Sequence, residues 1–432
     1  MLKHLLLLLL LISFLPLSSA PYTNAEGKKA TYAGRFSRQL VDVPSVYRQR
    51  QKEWRAVWVA TVENIDFPVC TTQSSFQQQF NNVITVLQRH NINTVIFQVR
   101  SNCDAFYPSR YNPWSRWLTG QEGGKLGSFD PLKWMIDRTH ASGMEFHAWL
   151  NPYRVVSKTK LSKSAYLATL DAGNYARKHP DQVLSIELGN GTRQLILDPG
   201  HPEVRTYIIN TVTELVKNYK VDAVHFDDYF YPYDGLKNQD NSSFRRFNPG
   251  NLSLADWRRN NVDLVIEGVS RAIRANRSSP ATLFGISPFG IWANRSTHPE
   301  GSLTGGKECY ATLFADVRKW MRRKWIDYVV PQLYWEFHHD VAAYGCLVDW
   351  WCNEARISGV KLWIGQGAYR IGNGQPQGEL AAKLRYDSIR SDISGEALFS
   401  FNVLSRPSNT VQRRGVSDIL RQYWSRRVPT GR

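Results

Sequence analysis

Val221-Asp222-Ala223-Val224-His225-Phe226-Asp227-Asp228-Tyr229-Phe230-Tyr231-Pro232 is an apolar run that stops on two acids and a group of aromatics. Residues 202–217 before it and 254–275 after it carry apolar side chains at helical spacing, and His201-Pro202 reads as a cap followed by proline in the first turn. A short buried strand between two amphipathic helices is the unit of a parallel sheet, because parallel neighbours need a crossover connection. The unit recurs along the chain. Further strands are predicted at 54–62, 94–99, 145–150, 282–287, 326–333, 361–365 and 397–402, with 221–226 as the fourth of eight. Helices are predicted at 75–90, 130–141, 202–217, 254–275, 310–324, 341–357, 377–391 and 411–423. Asp130-Pro131 repeats the cap-and-proline start, and Gly143 and Gly359 read as helix stops. Eight βα units in strict order close a barrel more naturally than they fill an open sheet, so the predicted fold is α/β, a (β/α)8 TIM barrel over residues 53–424 with long loops at its C-terminal rim. A doubly wound sheet would place a glycine-rich turn after the first strand, where this chain has Val62-Glu63-Asn64-Ile65-Asp66.

Composition agrees with a large core. Of 432 residues, 42% are hydrophobic, which excludes disordered and collagen-like classes. Lys and Arg outnumber Asp and Glu by 54 to 37, a formal charge of +17 that attracts anionic partners. Fifteen Trp and twenty Tyr supply flat faces of the kind that stack on sugars. Met-Leu-Lys-His, a largely apolar run from Leu5 to Leu17 and then Ser18-Ser19-Ala20 have the order of a signal peptide, so residues 1–20 are expected to be cleaved after Ala20 and the protein to be secreted or periplasmic. Export argues against nucleic acid as the partner of the positive charge. No later run reaches the roughly 20 apolar residues of a spanning helix, so no integral membrane segment is expected in the mature chain. Residues 21–52 read as a polar linker or arm, and 425–432 as a frayed basic tail. Five cysteines are too few for a disulfide scaffold; the bridges considered are Cys70 with Cys103 and Cys346 with Cys352. Glycosylation sequons begin at Asn190, Asn241, Asn251, Asn276 and Asn294.

Polar and aromatic residues gather where the strands stop, which is where a barrel places its active site. Strand periodicity sends His225 and Asp227 to the same face, the barrel mouth, and puts Asp228 at the start of the turn. Asp227 is therefore the candidate nucleophile. Adjacent acids raise each other's pKa, so one of the two can serve as a tuned acid, and the sequence leaves the division of roles open. Splitting an acetal needs a second carboxyl group. Glu336, after the sixth strand and behind Tyr334-Trp335, is the chosen partner, with Asp66 and Asp104 in reserve. Tyr229, Tyr231, Tyr233, Trp292 and Trp335 offer stacking faces; Gln98, Asn151 and Gln332 offer amides that match sugar hydroxyls; Arg100 and Arg154 add positive charge. Tyr153, Tyr334 and Tyr369 complete the predicted substrate-binding set. The chemistry calls for no metal and no other cofactor.

The chain resembles the glycosyl hydrolase-like family ten, a group of exported bacterial (β/α)8 proteins. The resemblance rests on Trp54-Arg55-Ala56-Val57-Trp58-Val59-Ala60-Thr61, on Phe97-Gln98-Val99-Arg100 with Asp104-Ala105-Phe106-Tyr107, and on Ala148-Trp149-Leu150-Asn151-Pro152-Tyr153-Arg154. It continues through Leu197-Asp198-Pro199-Gly200, the 225–232 block, Gly285-Ile286-Ser287-Pro288-Phe289-Gly290 and Pro331-Gln332-Leu333-Tyr334-Trp335-Glu336. It implies hydrolysis of a cell-wall polysaccharide, in particular peptidoglycan stripped of its stem peptides, between N-acetylmuramic acid and N-acetylglucosamine. His338-His339 departs from the family, where glycine is frequent. One rival reading is a non-catalytic barrel that tethers to an anionic glycan. A metal-dependent deacetylase lacks an HxxxH pair, a serine hydrolase lacks the second glycine after Gly285-Ile286-Ser287-Pro288-Phe289, and Gly372-Asn373-Gly374 has the wrong spacing for a dinucleotide.

Overall fold

The computed structural model describes residues 18–24, 26–276 and 281–432, so the apolar run of the predicted leader lies outside the described residues. Eight parallel strands close into one barrel: β1 (Trp54–Val59), β2 (Thr94–Arg100), β3 (Glu145–Leu150), β4 (Ala223–Phe226), β5 (Leu283–Ile286), β6 (Tyr328–Val329), β7 (Lys361–Gln366) and β8 (Ile393–Leu398). Each pairs with its neighbours in order, and β8 closes on β1 with Ala397 opposite Ala56. The crossovers carry α1 (Gln73–Arg89), α2 (Pro131–His140), α3 (Pro202–Asn218), α4 (Leu254–Ala275), α5 (Val317–Arg322), α6 (Tyr344–Ser358) and α7 (Glu379–Ser388). This is the expected (β/α)8 barrel. Its starts and stops are local chemistry: Asp130 accepts a bond from the Lys133 amide ahead of Pro131, and Gly359 ends α6 at a φ of 64°.

Side-chain alternation divides the core in two. In β4, Val224 and Phe226 face the helices, whereas Ala223 packs inside the barrel with Trp54, Trp58, Trp149, Tyr328 and Trp363. Gly285 of β5 makes room for that filling, since a Cβ there would stand 1.9 Å from the Tyr328 ring. The polar groups of the lumen satisfy one another along its axis. Trp58 Nε1 donates to His225 Nε2 at 3.2 Å, Tyr328 Oη lies 3.0 Å from His225 Nδ1 and 2.8 Å from His147 Nδ1, and His147 Nε2 meets Glu145 at 3.0 Å.

Several elements differ from expectation. The last strand is Ile393–Leu398 rather than 397–402, because the buried Glu396 is accommodated inside it by the Gln366 amide at 3.0 Å. The sixth is two residues long, since Pro331 cannot donate to a ladder, although Gln332 bridges to Phe289 and Gly365. Only Val317–Arg322 of residues 310–324 is helical, started by Asp316. A three-stranded antiparallel sheet, Arg154–Thr159, Val183–Gly189 and Thr192–Leu197, fills the connection after β3 and was not foreseen. The predicted cleavage point after Ala20 falls within Ser19–Pro21, which pairs antiparallel with Asp42–Pro44, so the amino-terminal arm is partly structured. It docks on the barrel through Tyr22 Oη, 2.7 Å from Glu379.

The tail is not frayed. Thr430 Oγ1 and Arg432 Nε reach Glu145 at 2.7 and 3.0 Å beneath the barrel. All five cysteines are free and buried, so neither bridge forms. Cys346 and Cys352 share α6, where six residues rise about 9 Å, too far for a disulfide. Among the described residues no helix is long and apolar enough to cross a membrane.

Candidate active site

At the C-terminal mouth lies a cleft of about 510 Å³. Its floor is Trp58, Trp149 and Phe399, and Tyr229, Tyr233, Phe289, Tyr334, Trp335 and Tyr369 form its walls. The carboxylates that line it are Asp227 and Asp228, both buried. β4 delivers them as its alternation requires, with Asp227 two residues beyond the inward His225.

The two acids are held differently. Thr61 and Val62 donate their backbone N–H groups to Gln98 Oε1, each at 2.9 Å, which fixes that amide so that Nε2 donates to Asn151 Oδ1 at 2.6 Å. Asn151 is thereby oriented to donate its own N–H to Asp227 Oδ2. Trp149 Nε1 reaches the same oxygen at 3.3 Å, the Tyr229 amide reaches Oδ1 at 3.3 Å, and Arg154 stands 3.9 Å away over the Tyr229 ring. Burial raises the pKa of Asp227, while Arg154 and these donors oppose the rise. Asp228 has fewer counterweights. The Tyr233 hydroxyl donates to its Oδ2, and Oδ1 is buried without a hydrogen-bond partner. Burial, then repulsion from Asp227, pushes it up to about 7. Of the pair, Asp227 is built to carry the charge and Asp228 the proton.

Of the residues singled out in the sequence, Gln98, Arg154, Tyr229, Gln332, Tyr334, Trp335, Tyr369 and Tyr233 line the cleft. Asn151 stands behind Asp227 and acts on it. Arg100 does not face the cleft: its guanidinium donates to the Asn151 carbonyl, to Asn112 at 3.1 Å and to Tyr207 at 3.1 Å, which ties down the loop after β3. Tyr153 is buried beneath the same loop, and Tyr231 and Trp292 pack in the shell outside the barrel.

Glu336 is not brought together with Asp227. It lies outside the cleft lining, its carbonyl accepts from His339 and Tyr344 at the entry to α6, and its charged neighbours are Glu379, Lys383, His338 and Arg370. The turn into α6 starts too soon after Trp335 to leave Glu336 facing inward. Asp66 is spent on the Ala60 and Asn402 amides and the Ser400 hydroxyl, all at 2.8 Å. Asp104 is likewise engaged by Ser115 and the Asn102 amide. Sequence reading missed Arg370, one residue beyond the noted Gly367-Ala368-Tyr369 rim. It lines the cleft with its Nε buried and unpartnered, the cation that Arg100 was expected to be. Among the described residues no group of three or more His, Cys, Asp or Glu is placed to hold a metal ion.

Residues 53–379 match the family described as Glycosyl hydrolase-like 10. The chain is 43% identical over 342 residues to glycosyl hydrolase YngK of Bacillus subtilis (strain 168), an alignment covering 77% of this chain and 64% of that one, so it spans less than two thirds of that relative. It is 37% identical over 390 residues to glycosyl hydrolase DigH of Escherichia coli (strain K12), covering 84% of this chain and 86% of that one. Among solved structures, α-L-fucosidase isoenzyme 2 from Paenibacillus thiaminolyticus is similar at a TM-score of 0.46 and 12% identity, over 86% of this chain and 50% of that one.

Proposed function

The chain belongs to the glycosyl hydrolase-like 10 family, and from that premise we propose that it is a glycoside hydrolase that cleaves peptide-stripped peptidoglycan between N-acetylmuramic acid and N-acetylglucosamine. The observation that carries the substrate class is the pairing of an aromatic cleft with Arg154 and with Arg370, whose Nε is buried and makes no hydrogen bond. Removing stem peptides exposes a lactyl carboxylate on every second sugar, and a half-buried guanidinium whose Nε–H has no hydrogen-bond partner suits such a group. The charge of +17 draws the anionic polymer in, and the leader-like residues 1–20 support export to the wall.

In this reading Asp228 gives its proton to the leaving oxygen, and Asp227 remains ionised to face the positive charge that develops at the anomeric carbon. The aromatic walls hold the chain and exclude water. Incubating the protein with intact and with stripped glycan, and identifying the new reducing sugar by mass spectrometry, tests the proposal. Preferential release from the stripped polymer with N-acetylmuramic acid at the new end is expected. Binding without any product would reassign the barrel to tethering.

A further inference from the structure

We propose that the nucleophile in this cleft is the substrate's own 2-acetamido oxygen, with Asp227 holding the acetamido N–H and Asp228 moving the proton. The inference rests on the reading that the substrate is an N-acetylated glycan, in which every sugar carries that group.

The placement of the acids argues for it. A protein nucleophile and a proton donor have to approach a pyranose from opposite sides, so their side chains come from facing walls. Here both lining carboxylates come from the end of β4, on consecutive residues whose Cα atoms are about 3.8 Å apart. The opposite stave, β8, is followed in the cleft by the apolar Phe399, and Glu336, Asp66 and Asp104 are turned away or engaged. Two acids on one wall cannot flank a ring. They can serve one edge of it, where the leaving oxygen and the 2-substituent are neighbours.

Asp227 is shaped for the second task. Its Oδ2 is taken by Asn151 and Trp149, while Oδ1 accepts only the 3.3 Å bond from the Tyr229 amide and keeps a lone pair for another N–H. The faces of Trp58 and Trp149 beside it give an acetyl methyl an apolar seat. The acetamido carbonyl oxygen attacks C1 as the glycosidic C1–O bond breaks, and the leaving oxygen keeps that electron pair and takes the Asp228 proton. An oxazolinium ion results, its N–H held by Asp227. Water then adds to C1, returns a proton to Asp228 and reopens the ring, restoring the amide with retained anomeric configuration.

A thiazoline derived from N-acetylglucosamine mimics that intermediate and serves as the probe. It is expected to bind wild-type protein in calorimetry, to inhibit glycan cleavage competitively, and to bind at least tenfold more weakly to Asp227→Ala. Glycan re-acylated with trifluoroacetyl groups should be cut at least tenfold more slowly, because its carbonyl oxygen is a poorer nucleophile. Cleavage without thiazoline binding, an inverted product anomer, or a glycosyl ester on Asp227 would each overturn the inference and leave the proposed activity standing. No cleavage of any glycan would remove both.

Discussion

Asp228 is a buried acid in a site that needs it protonated, and that choice has a measurable cost. Its folded pKa, about 7, lies above the ordinary aspartate value, so the folded state holds its proton more tightly than the unfolded state. The group adds stability fully at pH below about 4, and that contribution is lost as pH rises through 7. Asp228→Asn should therefore abolish turnover yet stabilise the fold at pH 8 by on the order of a few kcal/mol, read as a higher melting temperature, with the gain vanishing towards pH 4. Calorimetric scans across that range check it. In the active protein the alkaline limb of kcat/KM should fall near pH 7. Tyr233→Phe removes a donor that favours the charged form, so the limb should move upward. Arg370→Ala should raise KM for stripped glycan about tenfold with little change in kcat, measured on the same substrate. At this scale the sequence was partly legible. Strand alternation placed Asp227, but nothing in the spacing shows that the turn after Trp335 carries Glu336 away, or that Tyr207 and Asn112 claim Arg100.

Elements were legible where amphipathic periodicity was long, as in α1, α3 and α4, and poorly so where packing overrode pattern. β8 contains a glycine and a buried glutamate, and β6 is cut short by Pro331, so neither reads as a strand over its true span. The antiparallel insertion did carry a signal. Asn190-Gly191, noted only as a sequon, lies between alternating apolar residues and takes φ of 51° and 66°, the two left-handed positions of a tight hairpin turn. That insertion matters to the site, since Arg154 pairs with Ile196 at its edge and is thereby held over Tyr229. Gly285 is the element-scale test of the barrel filling. Because the Tyr328 ring occupies the place of a Cβ, Gly285→Ala should cost about 1–3 kcal/mol in urea unfolding by forcing that ring aside. The shift should also disturb His225, which bonds the Tyr328 hydroxyl and the Ser287 hydroxyl at the cleft floor.

Across the whole molecule the two ends of the barrel do different work. Chemistry sits at the C-terminal mouth, while the floor is closed by the last residues of the chain. Arg432 reaches Glu145 and Asp222, Thr430 bonds Glu145, and the Pro429 carbonyl accepts from the Glu53 amide at 3.0 Å. Burial would raise the pKa of Glu145, but His147, Arg432 and Thr430 outweigh it and hold the acid down at about 2. A depressed carboxyl pKa adds stability above pH 4.5 that is lost as pH falls through 2. Ending the chain at Trp424 removes Arg432 and Thr430, so Glu145 should titrate higher and the truncated protein should be less stable by about 2–4 kcal/mol at pH 7. That deficit should shrink as the pH falls through 2, below which the acid is neutral in both proteins. KM for the glycan should stay unchanged, because none of the removed residues 425–432 lines the cleft. Urea titrations at several pH values, set beside steady-state kinetics at 25 °C, separate the two effects. A truncated protein with wild-type stability, or with a raised KM, would show that the floor and the mouth are not divided in this way.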